Sequence, residues 1–342
     1  MSSLSKPVSA EERAKGTYPA GSMRAIAQER YGLADVLQLR SMPRPTPSAR
    51  EVLMHVRAAG LGRSTWHLMT GKPYAMRLGF GMRGPKQPVA GQDVAGTVVA
   101  IGEGVTRFAV GDEVFGVGRG SFAEYTVALE SKLTHKPKSV SFADAASSPV
   151  SAITAMQAIR CADLAAGQSV LVIGASGGVG SFAVQLAKAA GAEVSGTCST
   201  KKVSFVRQLG ADHVIDYTRA GSMESDHRYD VILDIGGNTP LARLRRALTP
   251  SGVVVLVGGE NAGNWVGMSR QVRALILTPF IRQRLVMLMG TQSTADLDEL
   301  SALLGAGTIT ARVDTTFPLE SAPDAMRYLE AGKAQGKIVI TV

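Results

Sequence analysis

The sequence has very little cysteine and no long hydrophobic run. Cys161 and Cys198 are its two cysteines, so one chain can build neither a disulfide framework nor a structural zinc site of four thiolates. We therefore expect a reducing, cytoplasmic setting. The longest apolar stretches, such as residues 253–257, are far shorter than the roughly 20 residues of a membrane-spanning helix. We expect neither a transmembrane helix nor a membrane partner.

The chain also lacks a concentrated basic region. Its formal net charge is +9 at pH 7, yet Lys and Arg are dispersed, and no basic run is interleaved with aromatic residues as in many nucleic-acid-binding surfaces. We predict no nucleic-acid partner, because an affinity for anionic small molecules explains the charge more simply. Residues 1–22 are polar and lack the apolar core of a signal peptide. We expect them to form a disordered tail.

The first part of the remaining chain has the pattern of short β-strands. A length of 342 residues is enough for two domains, each with its own core. Between residues 23 and 148, strand-like runs are separated by glycine-rich turns and predict an antiparallel β-barrel domain. In one run, Val52, Met54 and Val56 share the face that we expect to be buried. Residues 68–88 are rich in Gly, Pro, Met and Arg and predict a long loop that is functional or mobile.

The second part, residues 149–290, alternates strands with helices. A buried run at 169–173 is followed by the loop GASGGVG and an amphipathic helix, and further strand and helix units come after it. Such units predict a doubly wound parallel sheet with right-handed crossovers. Residues 312–317 and 337–342 return to a strand pattern, and residues 291–342 are expected to rejoin the first domain. The predicted fold class is therefore α/β, with a β-barrel domain and a dinucleotide-binding domain.

The glycine loop between strand and helix predicts dinucleotide binding. Gly174 permits the tight turn, Gly177 and Gly178 let the backbone approach a pyrophosphate, and Gly180 allows close packing of helix on strand. The phosphates would face the free N–H groups of the helix N-terminus. The alternative is a loop that merely connects two elements.

The end of the second parallel strand favours NADP(H) over NAD(H). NAD-preferring sites place an acidic residue there to bind the ribose hydroxyls, whereas this strand ends in the neutral Cys198 and is followed by Ser199, Lys201 and Lys202. A hydroxyl and two cations suit a 2′-phosphate. The alternative is that the lysines only solvate the start of a helix.

Several stretches in a fixed order resemble the medium-chain dehydrogenase/reductase superfamily, in its zinc-free quinone oxidoreductase branch. They are residues 58–61 (AAGL), 91–102 (GQDVAGTVVAIG), 111–116 (GDEVFG), 174–191, 209–217 (LGADHVIDY) and 336–339 (GKIV). The resemblance implies a GroES-like catalytic domain, a Rossmann domain, a cofactor in the cleft between them, and a homodimer.

The resemblance also implies the absence of zinc. Where the family's zinc alcohol dehydrogenases carry a Cys and a His ligand, this sequence has Gly62 and Gln92, and neither supplies a thiolate or an imidazole. Without a Lewis acid, oxidation of a simple alcohol loses its usual electrostatic help. Reduction of a quinone or a conjugated carbonyl compound fits better, because its electron-poor system accepts hydride directly.

The resemblance further assigns residues to the cofactor. It implies that Thr154 approaches the nicotinamide and that Tyr217 lies near the phosphate of the adenine ribose. Ser176 and Val179 belong to the glycine loop, and Lys337 to the matching C-terminal stretch, so we predict that they contact the cofactor as well. Turns at the ends of two further strands, at Gly236-Gly237 and Gly258-Gly259, place Gly258 at the edge where doubly wound folds bind ligands. Both are equally compatible with ordinary turns.

His67 and Tyr74 are the candidate catalytic residues. Some zinc-free relatives have an Asn and a Tyr near the nicotinamide, and this sequence has Gly62 and His67 there instead. His67 could donate a proton or a hydrogen bond to a carbonyl group, and Tyr74 in the following loop is a similar candidate. Both are equally compatible with structural roles.

The sequence thus predicts hydride transfer from NADPH to a small electrophilic enone, enal or quinone. Two alternatives stay open. One is a zinc-independent alcohol or ketone oxidoreductase, and the other is an NADPH-binding sensor or structural protein without turnover.

Overall fold

The computed structural model describes residues 21–219, 227–237, 239–258, 281–288 and 290–342. They form two compact units. The first unit contains the described residues through Val150, together with Gln292–Gly305 and Val313–Val342, and the second contains those of Ser151–Thr291 and Ala306–Arg312.

Most of the antiparallel strands come first along the chain, and the strands of the parallel sheet follow them as a block. In chain order they are β1 (Ser22–Ala27), β2 (Gln38–Pro43), β3 (Glu51–Leu61), β4 (Asp93–Ile101), β5 (Glu113–Val117), β6 (Tyr125–Leu129), β7 (Leu133–His135), β8 (Ser169–Ile173), β9 (Glu193–Cys198), β10 (His213–Asp216), β11 (Tyr229–Asp234), β12 (Leu248–Leu256), β13 (Arg284–Met287), β14 (Val313–Pro318) and β15 (Lys337–Thr341). β1 begins inside the predicted tail, whose residues 1–20 lie outside the described part of the chain.

The helices are mostly short. In chain order they are α1 (Arg63–Thr70), α2 (Arg77–Phe80), α3 (Phe142–Ser147), α4 (Pro149–Ala162), α5 (Gly178–Ala189), α6 (Val203–Gln208), α7 (Leu241–Arg246), α8 (Thr294–Gly305) and α9 (Ala322–Glu330). Within the described residues, none of these helices has both the length and the hydropathy needed to cross a bilayer.

The first unit contains a seven-stranded sheet in the order β14-β15-β3-β4-β5-β7, with β6 also paired to β3. Its neighbouring strands are antiparallel except for β14 and β15, which run parallel. β14 and β15 lie outside residues 23–148, for which antiparallel strands are predicted, and they run parallel because the chain crosses over through α9 between them. As predicted, Val52, Met54 and Val56 of β3 are fully buried.

The second unit contains a six-stranded sheet in the order β10-β9-β8-β11-β12-β13. All of its strand pairs are parallel, which confirms the predicted doubly wound sheet and the α/β class. The strand order reverses at β8, since the chain proceeds to β9 on one side and later returns to β11 on the other. In open α/β sheets, ligands bind outside the carboxyl ends of the strands at such a reversal.

Candidate cofactor and catalytic site

The glycine loop lies at this reversal, between β8 and α5. Gly174 has a φ of +86°, a left-handed conformation that favours glycine. A Cβ added at Gly180 would overlap the carbonyl oxygen of Gly174 and the backbone of Ala175. Both glycines are therefore required by the turn and by the close approach of α5 to the strand.

Gly177 differs from these two glycines because the fold could accommodate a small side chain at its position. Its φ of −83° suits any residue, and an added Cβ would make only an ordinary contact at 3.4 Å with the Gly174 carbonyl oxygen. Gly177 immediately precedes α5, whose first N–H groups are available to an anion. The loop thus forms a cradle that fits a pyrophosphate group.

Two further glycine turns pack against this cradle at the carboxyl edge of the sheet. A Cβ on Gly174 would lie 3.1 Å from the amide nitrogen of Gly236, and one on Gly258 would overlap the carbonyl oxygen of Ile235. The structure therefore brings the predicted Gly258 to the same edge as the glycine loop. Gly259 lies outside the described residues.

Thr197, at the end of β9, holds the glycine loop in place. Its hydroxyl accepts a hydrogen bond from the Gly174 amide at 3.1 Å, and its carbonyl oxygen accepts one from the Ala175 amide at 3.1 Å. Thr197 is almost fully buried. Sequence reasoning missed this residue, although its position at the carboxyl end of a parallel strand was the signal that could have found it.

The ends of β9 and β10 carry the residues predicted for the 2′-phosphate. Cys198 is buried, and burial together with the nearby Asp216 raises the pKa of its thiol. Ser199 and the exposed Lys201 follow Cys198 directly. Tyr217 is 58% exposed, and its amide donates to the Cys198 carbonyl oxygen at 3.1 Å. The predicted Ser199, Lys201 and Tyr217 therefore lie along neighbouring strand ends.

A carboxylate that sequence reasoning missed also lies at this edge. The hydroxyls of Thr200 and Thr218 each donate to the Asp216 carboxylate at 2.6 Å, and the Thr218 amide donates at 3.0 Å. These hydrogen bonds hold the pKa of Asp216 below its usual value. Arg219 adds an ion pair at 3.4 Å. Both oxygens of Asp216 are therefore engaged by the chain itself.

The other residues predicted to contact the cofactor in the second unit have mixed exposure. Thr154 is half-buried on α4, Ser176 is buried within the glycine loop, and Val179 is half-buried in the first turn of α5. All three lie in the second unit, with the glycine loop.

Lys337, predicted to contact the cofactor, lies in the first unit in a buried ion pair. Its Nζ is 3.7 Å from Oδ2 of Asp93, and both side chains are almost fully buried. The Val150 amide donates to Oδ1 of Asp93 at 3.1 Å. A Cβ added at Gly62 would lie 3.3 Å from Nζ of Lys337, so the ammonium group occupies the space that a side chain at position 62 would enter.

Burial shifts both groups of this pair toward their neutral forms. It raises the pKa of Asp93 to about 6, although the charge of Lys337 and the Val150 hydrogen bond act in the opposite direction. Burial also lowers the pKa of Lys337, which Asp93 opposes. The pair is thus held together by mutual attraction against a substantial desolvation penalty.

His67 lies on α1 with its ring tied to the loop that follows. Nδ1 is 2.8 Å from the carbonyl oxygen of Lys72. Because a carbonyl oxygen can only accept, Nδ1 carries the proton, and Nε2 of the neutral ring is an acceptor. His67 can therefore donate through Nε2 only as an imidazolium.

Tyr74 belongs to a cluster built around Arg77. The guanidinium carbon of Arg77 lies 4.5 Å from the ring centroid of Tyr31 and 4.6 Å from that of Tyr74, and its Nε donates to the Gly71 carbonyl oxygen at 3.0 Å. The Tyr31 hydroxyl donates to the Gly81 carbonyl oxygen at 2.7 Å. This arrangement fixes the predicted loop after α1 and gives Tyr74 a structural partner.

The residues present do not fit a zinc ion. Gly62 and Gln92 offer neither thiolate nor imidazole, and the Lys337 ammonium next to Gly62 would repel a second cation. In the part of the chain that the structure describes, no group of three or more His, Cys, Asp or Glu side chains could hold a metal ion.

Two protein families match this chain. Residues 48–138 match the family described as "Alcohol dehydrogenase GroES-like domain", and residues 209–340 match the family described as "Zinc-binding dehydrogenase". The two matches fall largely on the first and the second unit, respectively, although the second extends into the C-terminal strands.

Individual proteins match over almost the whole chain. It is 33% identical to the "Chloroplast envelope quinone oxidoreductase homolog" of Arabidopsis thaliana, over 93% of this chain and 98% of that protein. It is also 33% identical to the "NADPH-dependent alkenal/one oxidoreductase, chloroplastic" of Arabidopsis thaliana, over 93% of this chain and 79% of that protein. Among solved structures, the quinone oxidoreductase from Coxiella burnetii superposes with a TM-score of 0.82 at 27% identity, covering 94% of this chain and 99% of that one.

Proposed function

Because the chain belongs to the medium-chain dehydrogenase/reductase superfamily, in its quinone oxidoreductase-like branch, we propose that it is an NADPH-dependent reductase. In this proposal it transfers hydride to a quinone or an α,β-unsaturated carbonyl compound without zinc. The family membership confirms the resemblance seen in the sequence, with its GroES-like and Rossmann domains. The cytoplasmic location and the homodimer stay predictions.

The glycine cradle is the observation that carries the proposal. It combines a left-handed turn at Gly174, an open face at Gly177 and the N-terminus of α5, which together accept a pyrophosphate through backbone N–H groups. Thr197 fixes the loop from the neighbouring strand. We propose that Thr154, Ser176, Val179 and Gly258 complete the contacts to the cofactor.

The strand ends beside the cradle favour NADPH. Ser199, Lys201 and Tyr217 offer a hydroxyl, a cation and a phenol to a 2′-phosphate. Asp216 opposes them less than an unpaired acid would, because Arg219 forms an ion pair with it, Thr200 and Thr218 donate to its oxygens, and it is only 9% exposed.

The choice of acceptor follows from Gly62 and Gln92, which provide no thiolate or imidazole to bind a Lewis acid such as zinc. Bound NADPH supplies the hydride, and a simple ketone needs strong polarisation to accept it. A conjugated carbonyl compound accepts hydride at its β-carbon, and its π electrons move onto the carbonyl oxygen. We therefore propose that Gly62 and Gln92 mark a site for quinones, enones or enals rather than for saturated ketones.

His67 and Tyr74 are proposed to act on the oxygen of the acceptor. His67 donates through Nε2 when it is an imidazolium, since Nδ1 is committed to the Lys72 carbonyl oxygen. Tyr74 keeps its position beside the Arg77 guanidinium, and its phenol is proposed as a hydrogen-bond donor to the acceptor. Lys337 is proposed to contribute positive charge next to Gly62.

The test is consumption of the reduced nicotinamide with a panel of acceptors. We expect turnover with a water-soluble quinone, an alkenal and an enone, little with the matching saturated ketone, and a higher kcat/KM with NADPH than with NADH. NADPH binding is measured alongside by titration.

Each contrary result points to one alternative. Turnover of saturated ketones or alcohols at least equal to that of enones would favour an alcohol or ketone oxidoreductase. Tight NADPH binding without turnover of any acceptor would favour a sensor or structural protein. A preference for NADH would contradict the assignment of Ser199 and Lys201.

A further inference from the structure

The loop after α1 displays a cluster of exposed apolar side chains. Leu78 is 76% exposed, Met82 is 65% exposed and Phe80 is 46% exposed. Leu33, from the neighbouring segment, is 63% exposed. Three of these residues lie within residues 78–82, and we call all four the apolar cluster. Several exposed large apolar side chains in neighbouring segments mark an interaction surface more often than single ones do.

The backbone beneath the apolar cluster is firmly packed. The Tyr31 hydroxyl donates to the Gly81 carbonyl oxygen at 2.7 Å, which joins the segment of Leu33 to that of Phe80 and Met82. A Cβ added at Gly84 would overlap the Glu29 carbonyl oxygen, so the two segments lie in direct contact. The apolar side chains are therefore presented by a fixed scaffold and do not fold back into the core.

The same loop is entirely basic in its charge. Residues 71–88 contain Lys72, Arg77, Arg83 and Lys86 and no Asp or Glu, and Arg83 and Lys86 are exposed. The adjoining segment has two acidic residues, and each of them pairs with an arginine outside the loop.

Those acids are Glu29 and Asp35. Glu29 pairs with Arg40 at 2.6 Å, and Asp35 pairs with Arg327. The apolar cluster is thus bordered by cations whose charge no acid of its own loop offsets.

We propose that this face docks on the surface of an anionic phospholipid membrane. Leu33, Leu78, Phe80 and Met82 would enter the boundary between headgroups and acyl chains, and Arg83 and Lys86 would face the lipid phosphates. Apolar side chains bordered by Lys and Arg bind such surfaces through buried apolar area and electrostatic attraction together. A second copy of this chain fits less well, because its matching face would present the same cations.

Docking at a membrane surface differs from the absence of a membrane partner that the sequence predicts. The prediction of no membrane partner was based on the absence of a spanning run, and a spanning helix is indeed absent from the described residues. Docking at a membrane surface requires no such helix. The proposal does not depend on the proposed reaction, since it concerns binding without cofactor or acceptor.

Vesicle co-sedimentation of the full chain tests the proposal. We expect binding to vesicles of equimolar phosphatidylcholine and phosphatidylglycerol, weaker binding as salt increases, and little binding to phosphatidylcholine alone. The double variant Leu78→Glu/Met82→Glu should lose at least about tenfold in affinity. In the double variant Arg83→Gln/Lys86→Gln, the affinity for anionic vesicles should fall roughly fivefold for each charge removed.

Matched variants elsewhere control for these changes. Val110→Glu alters an exposed apolar residue, 64% exposed, outside the apolar cluster, and Lys138→Gln/Arg246→Gln removes the same charge from other exposed positions. Both should bind vesicles like the unaltered chain. Thermal unfolding of every variant checks that the fold is retained.

A fluorescence measurement gives an independent readout. In Leu78→Trp, the new indole should shift its emission to shorter wavelength when anionic vesicles are added, and Val110→Trp should not. Failure of the full chain to bind anionic vesicles would overturn the proposal, as would equal binding by Leu78→Glu/Met82→Glu. A change of oligomeric state in that variant, with vesicle binding intact, would assign the face to contacts between copies instead.

Discussion

At the scale of single residues, the buried pair of Asp93 and Lys337 makes stability depend on pH. Its charges attract each other at 3.7 Å inside the first unit, and removal of Lys337 takes away the cation that opposes the desolvation of Asp93. Such a loss is more damaging than removal of both. Since burial raises the pKa of Asp93 to about 6, the folded chain binds a proton there more tightly than the unfolded chain does. The stability that this site contributes therefore falls as the pH rises through about 6.

This behaviour predicts a pH-dependent defect in Lys337→Met. Without the ammonium, the pKa of Asp93 should rise further, because its main compensating charge is gone. We expect the cofactor-free variant to lose about 3–5 kcal/mol of unfolding free energy near about pH 8. The loss should shrink near about pH 5, where the carboxyl group is protonated. Urea denaturation at both pH values measures it.

The double variant Asp93→Asn/Lys337→Met is the control. It carries no buried charge at this site, and the asparagine oxygen can still accept the hydrogen bond from the Val150 amide. We expect it to recover most of the lost stability at both pH values. A single variant that is equally unstable at both pH values would show that Lys337 contributes through packing rather than charge.

A second prediction concerns Lys201. Lys201→Ala should lower kcat/KM for NADPH roughly tenfold to a hundredfold, because a charge-assisted hydrogen bond to the 2′-phosphate is lost. The value for NADH should hardly change, since NADH lacks that phosphate. The exposed Lys138 of the first unit offers a matched control, and Lys138→Ala should leave both values intact. Equal losses for both cofactors in Lys201→Ala would mean that the lysine supports the fold.

The glycines that shape the loop could be predicted from the sequence, whereas Thr197 and Asp216 could not. The roles of Gly174 and Gly180 can be predicted because the backbone conformation at one and the close packing at the other exclude other residues. Thr197 and Asp216 gave no such signal, since a Thr or an Asp in a strand has many possible roles. Their function depends on which strands are neighbours, and that is set by the tertiary fold.

At the scale of elements, substitutions in the loop before α5 should affect cofactor binding and stability separately. Gly177→Ala adds a Cβ that makes an ordinary contact of 3.4 Å with the Gly174 carbonyl oxygen at a favourable φ, so the fold should be retained, with a loss of at most about 1 kcal/mol from the poorer N-cap. Its affinity for NADPH should fall on the order of tenfold, because the Cβ obstructs backbone contact with the pyrophosphate. Titration with NADPH and thermal unfolding measure the two effects separately.

Gly180→Ala is the matched comparison within the same loop. Its Cβ would overlap the Gly174 carbonyl oxygen, and we expect a loss of about 1–3 kcal/mol in unfolding free energy from overpacking. If Gly177→Ala instead bound NADPH normally, the cofactor would have to lie elsewhere on the chain.

The parallel strands of the second unit could be predicted from the hydrophobic pattern better than the helices outside it. β8 begins and ends at the predicted residues 169–173, whereas the predicted loop at residues 68–88 contains α2. The direction of β14 relative to β15 was not predictable in this way. It depends on the crossover through α9, and an alternating strand has the same pattern whether its neighbour runs parallel or antiparallel.

At the scale of the whole molecule, the histidines and cysteines do not gather into a metal-binding group within the described residues. The chain has five histidines and two cysteines, and all of them lie within the described residues. His135 lies 4.0 Å from Asp112, and His213 lies 2.9 Å from Glu193. Neither pair gains the third His, Cys, Asp or Glu ligand that a metal ion would require among the described residues.

This distribution predicts that the purified, dialysed protein contains far less than one zinc ion per chain and that a chelator leaves its activity unchanged. The physical reason is twofold. Gly62 and Gln92 provide no thiolate or imidazole, and the Lys337 ammonium already lies where a ligand at position 62 would project. Elemental analysis, paired with acceptor assays before and after chelation, measures both quantities. Near-stoichiometric zinc whose removal abolishes turnover would contradict the zinc-free proposal, whereas zinc that is removed without loss of activity would be adventitious.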